Sequence, residues 1–250
     1  MSVSLSYHRI GQGAPLVLLH GFPLDGAFWN PILPYLREHF DCIVPDLRGF
    51  GASPLTEPGY TLEEMAADLS ALLVELDISA AFLAGHSMGG YIALAFARCF
   101  NDQLLGLALL GTQAAPDAPE RRQLRYETIE QVRRDGIAPV LGMAEKLTFD
   151  LRHTPSLRQI IQRQHPVGVM GALQAMAERP DALPGLATLT VPVVIVHGLQ
   201  DGLVPVERAR QMHAVLPQAY LLELPGVGHS PPYEAPEQTA QAVIRLVKDG

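Results

Sequence analysis

Short apolar runs recur along the chain, each closed by Gly or Pro, with stretches of helical spacing between them. Pro15–His20 reads PLVLLH, Cys42–Pro45 CIVP and Ala81–Ala84 AFLA. Leu104–Leu110 reads LLGLALL, Val191–Val196 VPVVIV and Tyr220–Leu224 YLLEL. Runs that are apolar on both faces suit strands of a parallel sheet covered by helices on both sides. The intervening stretches fit helices. Thr61 opens TLEEMAADLSALLVEL, and Thr61 with Glu64 has capping-box spacing. Leu62, Met65, Leu69, Leu72, Leu73 and Leu76 then form one apolar face. Ser87–Phe100 is apolar nearly all round and predicts a buried helix; Val206–Leu216 and Glu237–Val247 predict two more. Strand and helix alternate, so the expected fold is α/β, a mostly parallel open sheet flanked by helices.

One segment breaks the alternation. Between residues 114 and 187 no strand pattern appears, and the helical pieces are Glu120–Arg134, Ile137–Leu147, Thr154–Gln164 and Val167–Arg179. Pro139, Pro155, Pro166, Pro180 and Pro184 punctuate them. A helical insertion late in an open sheet lies over the carboxyl ends of the strands, where ligands bind. The expected organisation is therefore a core of residues 1–113 and 188–250 and a helical cap of residues 114–187. Charge divides the same way. The cap holds ten Lys and Arg against nine Asp and Glu, and the remainder eight against seventeen.

The chain's 250 residues and 48% hydrophobic content fit one domain with an insertion. A net charge of −8 disfavours nucleic acid and anionic membrane as partners. Cys42 and Cys99 lack CxxC neighbours and are expected as two reduced, buried thiols. No H-E-x-x-H motif or cysteine cluster is present, so neither metal nor cofactor is expected. MSVSLSYHRI has no basic start followed by an apolar stretch, and no run of eighteen apolar residues occurs. The expected location is cytoplasmic.

The sharpest chemical feature is Gly85-His86-Ser87-Met88-Gly89-Gly90, a G-x-S-x-G match that follows a strand pattern and opens a helix pattern. That is the setting of a nucleophile elbow. A serine on a sharp strand-to-helix turn is forced outward, and the glycines let helix and strand pack closely. A serine hydroxyl needs a base, and the base needs an orienting acid. In this arrangement the acid and then the histidine follow the serine, each after a later strand. Asp201 follows VPVVIV in HGLQDGLVP, and His229 follows YLLEL in PGVGHSPP. Ser87, Asp201 and His229 thus form the candidate catalytic set.

A tetrahedral intermediate also needs backbone donors. The N–H of Met88, directly after the serine, is one candidate. The loop after PLVLLH offers the other, at Phe22, because Pro23 has no N–H. His20, His86 and His197 are expected to brace their loops rather than act as further bases. Asp46 and Arg48, in DLRGFGAS, are expected to pin a loop near the site; a phosphate loop would need a Lys-Ser/Thr ending, which is absent.

Taken together, HGFPLD, DLRGFGAS, GHSMGG, HGLQDGLVP and GVGHSPPYEAPEQ resemble the α/β-hydrolase superfamily along nearly the whole chain. The likeness is to small bacterial carboxylesterases, enol-lactone hydrolases and cofactor-free haloperoxidase or perhydrolase relatives. It implies a helical lid where the cap lies, and Phe22 and Met88 as the oxyanion hole. Many relatives have two strands before the HG loop; Ser2–Ile10 leaves room for about one, so the first antiparallel edge strand is the one expected to be missing. Serine rather than aspartate at the elbow argues against dehalogenase or epoxide-hydrolase chemistry.

The expected activity is hydrolysis of a small-molecule ester or lactone through an acyl-enzyme. Enol-lactone or carbon–carbon bond hydrolysis, perhydrolysis, and a slow-turnover ligand receptor stay open as alternatives. Phe22, Leu24, Trp29, Met88, Met143, Leu147, Leu203 and Val204 are candidates to line an apolar pocket, although Trp29 also reads as a core anchor. Arg121, Arg122 and Arg125, followed by Arg133 and Arg134, have two readings: they meet an anionic substrate or acidic carrier protein, or they are solvated helix charge. Glu130 and Arg134 have the i,i+4 spacing of a surface ion pair.

Overall fold

The computed structural model describes residues 2–248. Residues 1, 249 and 250, at the outer limits expected for the core, lie outside the described residues. Seven strands form one sheet: β1 (Tyr7–Gly11), β2 (Ala14–Leu19), β3 (Phe40–Pro45), β4 (Ala81–His86), β5 (Leu104–Leu110), β6 (Val193–Gly198) and β7 (Tyr220–Leu224). Their order is β1-β3-β2-β4-β5-β6-β7, and only the β1–β3 pairing is antiparallel. Among the described residues, β1 is the one strand that precedes β2. All five of its residues are exposed, and its backbone pairing with β3 rather than an apolar face holds it in the sheet.

The helices are α1 (Leu33–Leu36), α2 (Leu62–Glu75), α3 (Met88–Cys99), α4 (Pro119–Asp135), α5 (Thr154–Gln162), α6 (Pro166–Ala177), α7 (Leu183–Leu186), α8 (Glu207–Val215), α9 (Pro231–Glu234) and α10 (Pro236–Lys248). The capping box of α2 is formed: Glu64 N–H donates to Thr61 Oγ1 at 3.2 Å and Thr61 N–H to Glu64 Oε2 at 3.0 Å. Ten of the twelve α3 residues are buried, as its uniform apolarity requires; Cys99, expected to be buried, is instead exposed because the last turn of the helix leaves the core. β4 and β6 are buried throughout. Each large aliphatic side chain withdrawn from water in such strands stabilises the fold by about 1.5–3 kcal/mol.

Four helices, α4 to α7, lie between β5 and β6. One expected helix differs: Ile137–Leu147 contains a 3₁₀ turn at Ala138–Met143 instead. Pro139 near the start of that turn removes a backbone donor, and Gly142 disfavours its extension into an α-helix. The segment is tied to the sheet side by polar contacts. Arg163 donates to Asp25 from Nε at 2.7 Å and from Nη2 at 2.6 Å, and Gln164 Nε2 donates to Asp25 Oδ2 at 2.8 Å. No helix among the described residues is long and apolar enough to cross a membrane.

The strand order places the site. The chain passes from β2 to β3 on one side and then returns to β4 on the other side of β2. The loops after β2 and β4 therefore diverge at a switch point, where the carboxyl ends of neighbouring strands leave a crevice.

Candidate active site

Ser87 stands between β4 and α3 with φ 51° and ψ −112°. A non-glycine residue at positive φ costs about 1–3 kcal/mol, so the surrounding structure must hold it there. Ser87 N–H donates to Leu110 O at 2.9 Å, and Thr112 Oγ1 donates to Ser87 O at 2.8 Å. The glycines permit the turn. A Cβ on Gly85 would come within 2.4 Å of Gly89 O, and one on Gly89 within 2.1 Å of Leu19 O. The elbow is thereby pressed against the end of β2.

The loop after β2 lies beside the serine. A Cβ on Gly21 would sit 3.2 Å from Ser87 Cβ and 2.5 Å from His86 Nδ1. Phe22 follows and lines the same cavity as Ser87. Among the described residues, neither the Phe22 nor the Met88 N–H donates to a protein acceptor. Two free donors thus flank the elbow, one from the β2 loop and one from the first turn of α3.

The loops after β6 and β7 bring Asp201 and His229 together. His229 Nδ1 lies 2.7 Å from Asp201 Oδ2. The other oxygen, Oδ1, accepts the N–H groups of Leu203 at 2.8 Å and Val204 at 2.9 Å. Burial alone would raise the Asp201 pKa, but His229, His197 and the Val204 N–H outweigh it and hold the carboxyl well below the usual range. A carboxylate on Nδ1 fixes the proton there and leaves Nε2 as an acceptor. His229 and Ser87 line one cavity.

The other histidines have structural partners. His20 Nε2 accepts the Leu47 N–H at 3.0 Å, and its Nδ1 lies 3.0 Å from Gly21 O. His86 Nε2 lies 2.9 Å from His229 O, and its ring stacks on Phe28 at 4.4 Å. Burial, and then the nearby His229, push the His86 pKa down to about 3, so it holds the His229 backbone as a neutral donor. His197 does more than brace its loop. Its Nε2 lies 2.8 Å from Val204 O and 3.3 Å from Asp201 Oδ2.

Asp46 and Arg48 pin loops. Asp46 accepts the N–H groups of Gly26 and Ala52, each at 2.8 Å, and Arg48 grips Asp68 at 2.6 and 2.7 Å. Glu234 joins the site with no motif to announce it. Its carboxylate accepts from Gly228 and Ser230 beside His229, and from Phe149 and Asp150 in the helical segment. A half-buried carboxylate gathering four backbone donors leaves only a faint trace in sequence: an acidic residue four positions after Ser230.

The cavity has a volume of about 200 Å³. Among the expected pocket residues, Phe22, Met143, Leu147, Leu203 and Val204 line it. Leu24, Trp29 and Met88 do not, which corrects the expectation for them: each is fully buried. Trp29 packs edge-on against Phe28 within the core. Leu24 follows a turn closed by its own N–H on Gly21 O, which carries it inward. α4 contributes Arg121, Leu124, Arg125 and Thr128 instead. The Glu130–Arg134 pair is also corrected. Glu130 binds Arg133, and Arg134 binds Asp135.

An elbow serine at the switch point, followed in the chain by an acid and a histidine after later strands, is the layout of one fold family. The match to the alpha/beta hydrolase fold family runs over residues 14–236. The chain belongs to this family.

Other α/β hydrolases extend the likeness. A thermophilic esterase from Thermogutta terrifontis superposes with a TM-score of 0.93 at 39% identity, over 98% of this chain and 93% of that one. The pimeloyl-[acyl-carrier protein] methyl ester esterase of Vibrio vulnificus is 29% identical over 98% of both chains. The AB hydrolase superfamily protein YisY of Bacillus subtilis is 28% identical over 98% of this chain and 95% of its own.

Proposed function

We propose that this α/β hydrolase cleaves a small-molecule carboxylic ester through an acyl-enzyme on Ser87. One observation carries the reading. A serine held at positive φ opens into the same cavity as a histidine whose Nδ1 is fixed by a fully engaged carboxylate. The likeness to the Thermogutta terrifontis esterase supports it.

In this reading Ser87 Oγ attacks the ester carbonyl carbon as its proton passes to His229 Nε2. Asp201 stabilises the imidazolium, and the N–H groups of Phe22 and Met88 receive the developing oxyanion. The bond to the alcohol oxygen breaks, and the alcohol leaves with the proton from Nε2. Water then gives its proton to Nε2 and attacks the acyl carbon, which returns Ser87 and releases the acid. His197 and Glu234 are positioning residues, one for Asp201 and one for the His229 loop. The helical segment of residues 114–187 is the lid that closes the cavity over the serine.

The test is hydrolysis of p-nitrophenyl esters of graded acyl length. The cavity predicts an optimum at short chains. Ser87→Ala should lower kcat by about 10⁴-fold or more while the melting temperature is kept. An unchanged rate would overturn the assignment.

A further inference from the structure

The wall of the Ser87 cavity is opposite in charge to the molecule that contains it. The chain carries −8 overall, yet the lining includes Arg121, Arg125 and Lys146 and no Asp or Glu. Arg125 is accounted for. It is bound by Asp117, which also holds Arg179 at 2.8 Å. Arg121 and Lys146 are different. Among the described residues neither makes a hydrogen bond or ion pair, although both residues line the cavity.

Their lack of partners is not the habit of this segment. Of its ten Lys and Arg, seven are in ion pairs: Arg125, Arg133, Arg134, Arg152, Arg158, Arg163 and Arg179. The three without a partner among the described residues are Arg121, Arg122 and Lys146, and two of these three face the site. Arg121 keeps an exposed surface, and partial desolvation, then the like charge of Arg125, weaken its hold on its proton. An anion beside Arg121 would oppose both effects. The rest of the wall, including Leu124, Met143, Leu147 and Leu173, is apolar and suits the methylene chain that would separate an anion from the ester.

We infer that the substrate is an ester that bears a carboxylate, such as a monoester of a dicarboxylic acid, and that Arg121 and Lys146 bind that carboxylate. The inference rests on the ester-hydrolase reading and deepens it. Both cations belong to the helical segment rather than to the loops that carry Ser87, Asp201 and His229. They would hold the anion equally in the ground state and the transition state, so their effect belongs in KM rather than kcat.

The experiment compares monomethyl adipate with methyl hexanoate, which replaces the carboxyl by a methyl group. Initial rates are followed by acid release in the parent protein and in the Arg121→Gln/Lys146→Gln double variant. The parent should favour monomethyl adipate in kcat/KM at low salt, and the preference should shrink as salt is raised. The ratio of the two kcat/KM values should fall by about tenfold or more in the double variant, since hydrogen bonds to charged groups are among the stronger ones. The fall should appear in KM for the anionic ester. Taking a ratio removes any loss of folded enzyme from the comparison. A parent that prefers methyl hexanoate, with a ratio the variant does not change, would overturn the inference while leaving ester hydrolysis intact. Turnover of neither ester while p-nitrophenyl acetate is still hydrolysed would also overturn the inference, and loss of p-nitrophenyl acetate hydrolysis as well would defeat the ester-hydrolase reading with it.

Discussion

The two walls of the cavity are built by different means. On the sheet side, Ser87, Asp201 and His229 sit on loops after β4, β6 and β7, and backbone groups set their positions. Gly85 and Gly89 admit contacts that no Cβ would allow, and Asp201 is held by two N–H groups as well as by His229. On the helical side, α4 buries only Arg125, Ile129 and Val132 of its seventeen residues. Side-chain pairs anchor that side: Asp25 with Arg163 and Gln164, and Asp117 with Arg125 and Arg179. The difference teaches where each property is stored. Reactive geometry is written into close-packed backbone, which few substitutions can leave unchanged. On the reading proposed above, selectivity is written into side chains on a tethered segment, which can change one at a time.

Two alanine substitutions should separate the walls most sharply. Gly89→Ala puts a methyl group against Leu19 O and should destabilise the protein by about 3 kcal/mol, since the contact is with backbone that cannot yield cheaply. Gly142→Ala meets nothing within 4 Å and should shift stability by no more than about 0.5 kcal/mol. Denaturant unfolding of the two variants measures both. Similar losses would contradict the contrast.

A smaller effect is expected at the tether. Asp25→Asn keeps an oxygen to cap the turn at Ala27 but removes the charge facing Arg163. Because the Arg163 side chain is 53% exposed, the loss should be only about 1 kcal/mol. Limited proteolysis should show faster cleavage within residues 137–165 than elsewhere. Uniform cleavage along the chain would mean that the tether is not local.

The pH dependence of stability spreads its effect over several pH units. The folded pKa of His86 is depressed to about 3 from 6.5, so its contribution is complete above about pH 6.5 and is lost as pH falls toward 3. Burial opposes ionisation of Asp25 and Asp117, yet Arg163 with Gln164, and Arg125 with Arg179, leave both carboxyls below their ordinary 3.8. Their contributions are therefore complete above about pH 4 and are lost only at lower pH. Mild acid should thus weaken the sheet side before the tethers, with a slope of at most about 1.4 kcal/mol per pH unit. Melting curves from pH 7 to 4 should flatten in His86→Gln. An unchanged slope would assign the acid sensitivity to another group.

Much of the sheet side is legible in sequence, because burial on both faces writes an apolar run and a sharp turn writes glycine. β5 and β7 match the apolar runs residue for residue, and β4 and β6 extend two residues beyond theirs. β1 escapes the pattern, since its exposed residues form neither an apolar run nor an alternation and its place depends on pairing with β3. Leu24 and Trp29 lie near the site in sequence, but core packing turns them away from the cavity. On the helical side, no periodicity shows which face of α4 meets the serine. Arg125 is buried because Asp117, two residues before the helix begins, neutralises it, and such a pairing leaves no pattern. The contact of His197 with Asp201 is hidden for a similar reason, since it depends on how one loop folds back over its own strand.

The central claim, a covalent acyl-enzyme on Ser87, is tested most directly by quenching the protein in acid during turnover of p-nitrophenyl acetate and mapping its peptides by mass. The account predicts one acetyl group on the peptide that contains Ser87, absent in Ser87→Ala. Release of nitrophenol with no acylated peptide, or with the acetyl group on another residue, would contradict it.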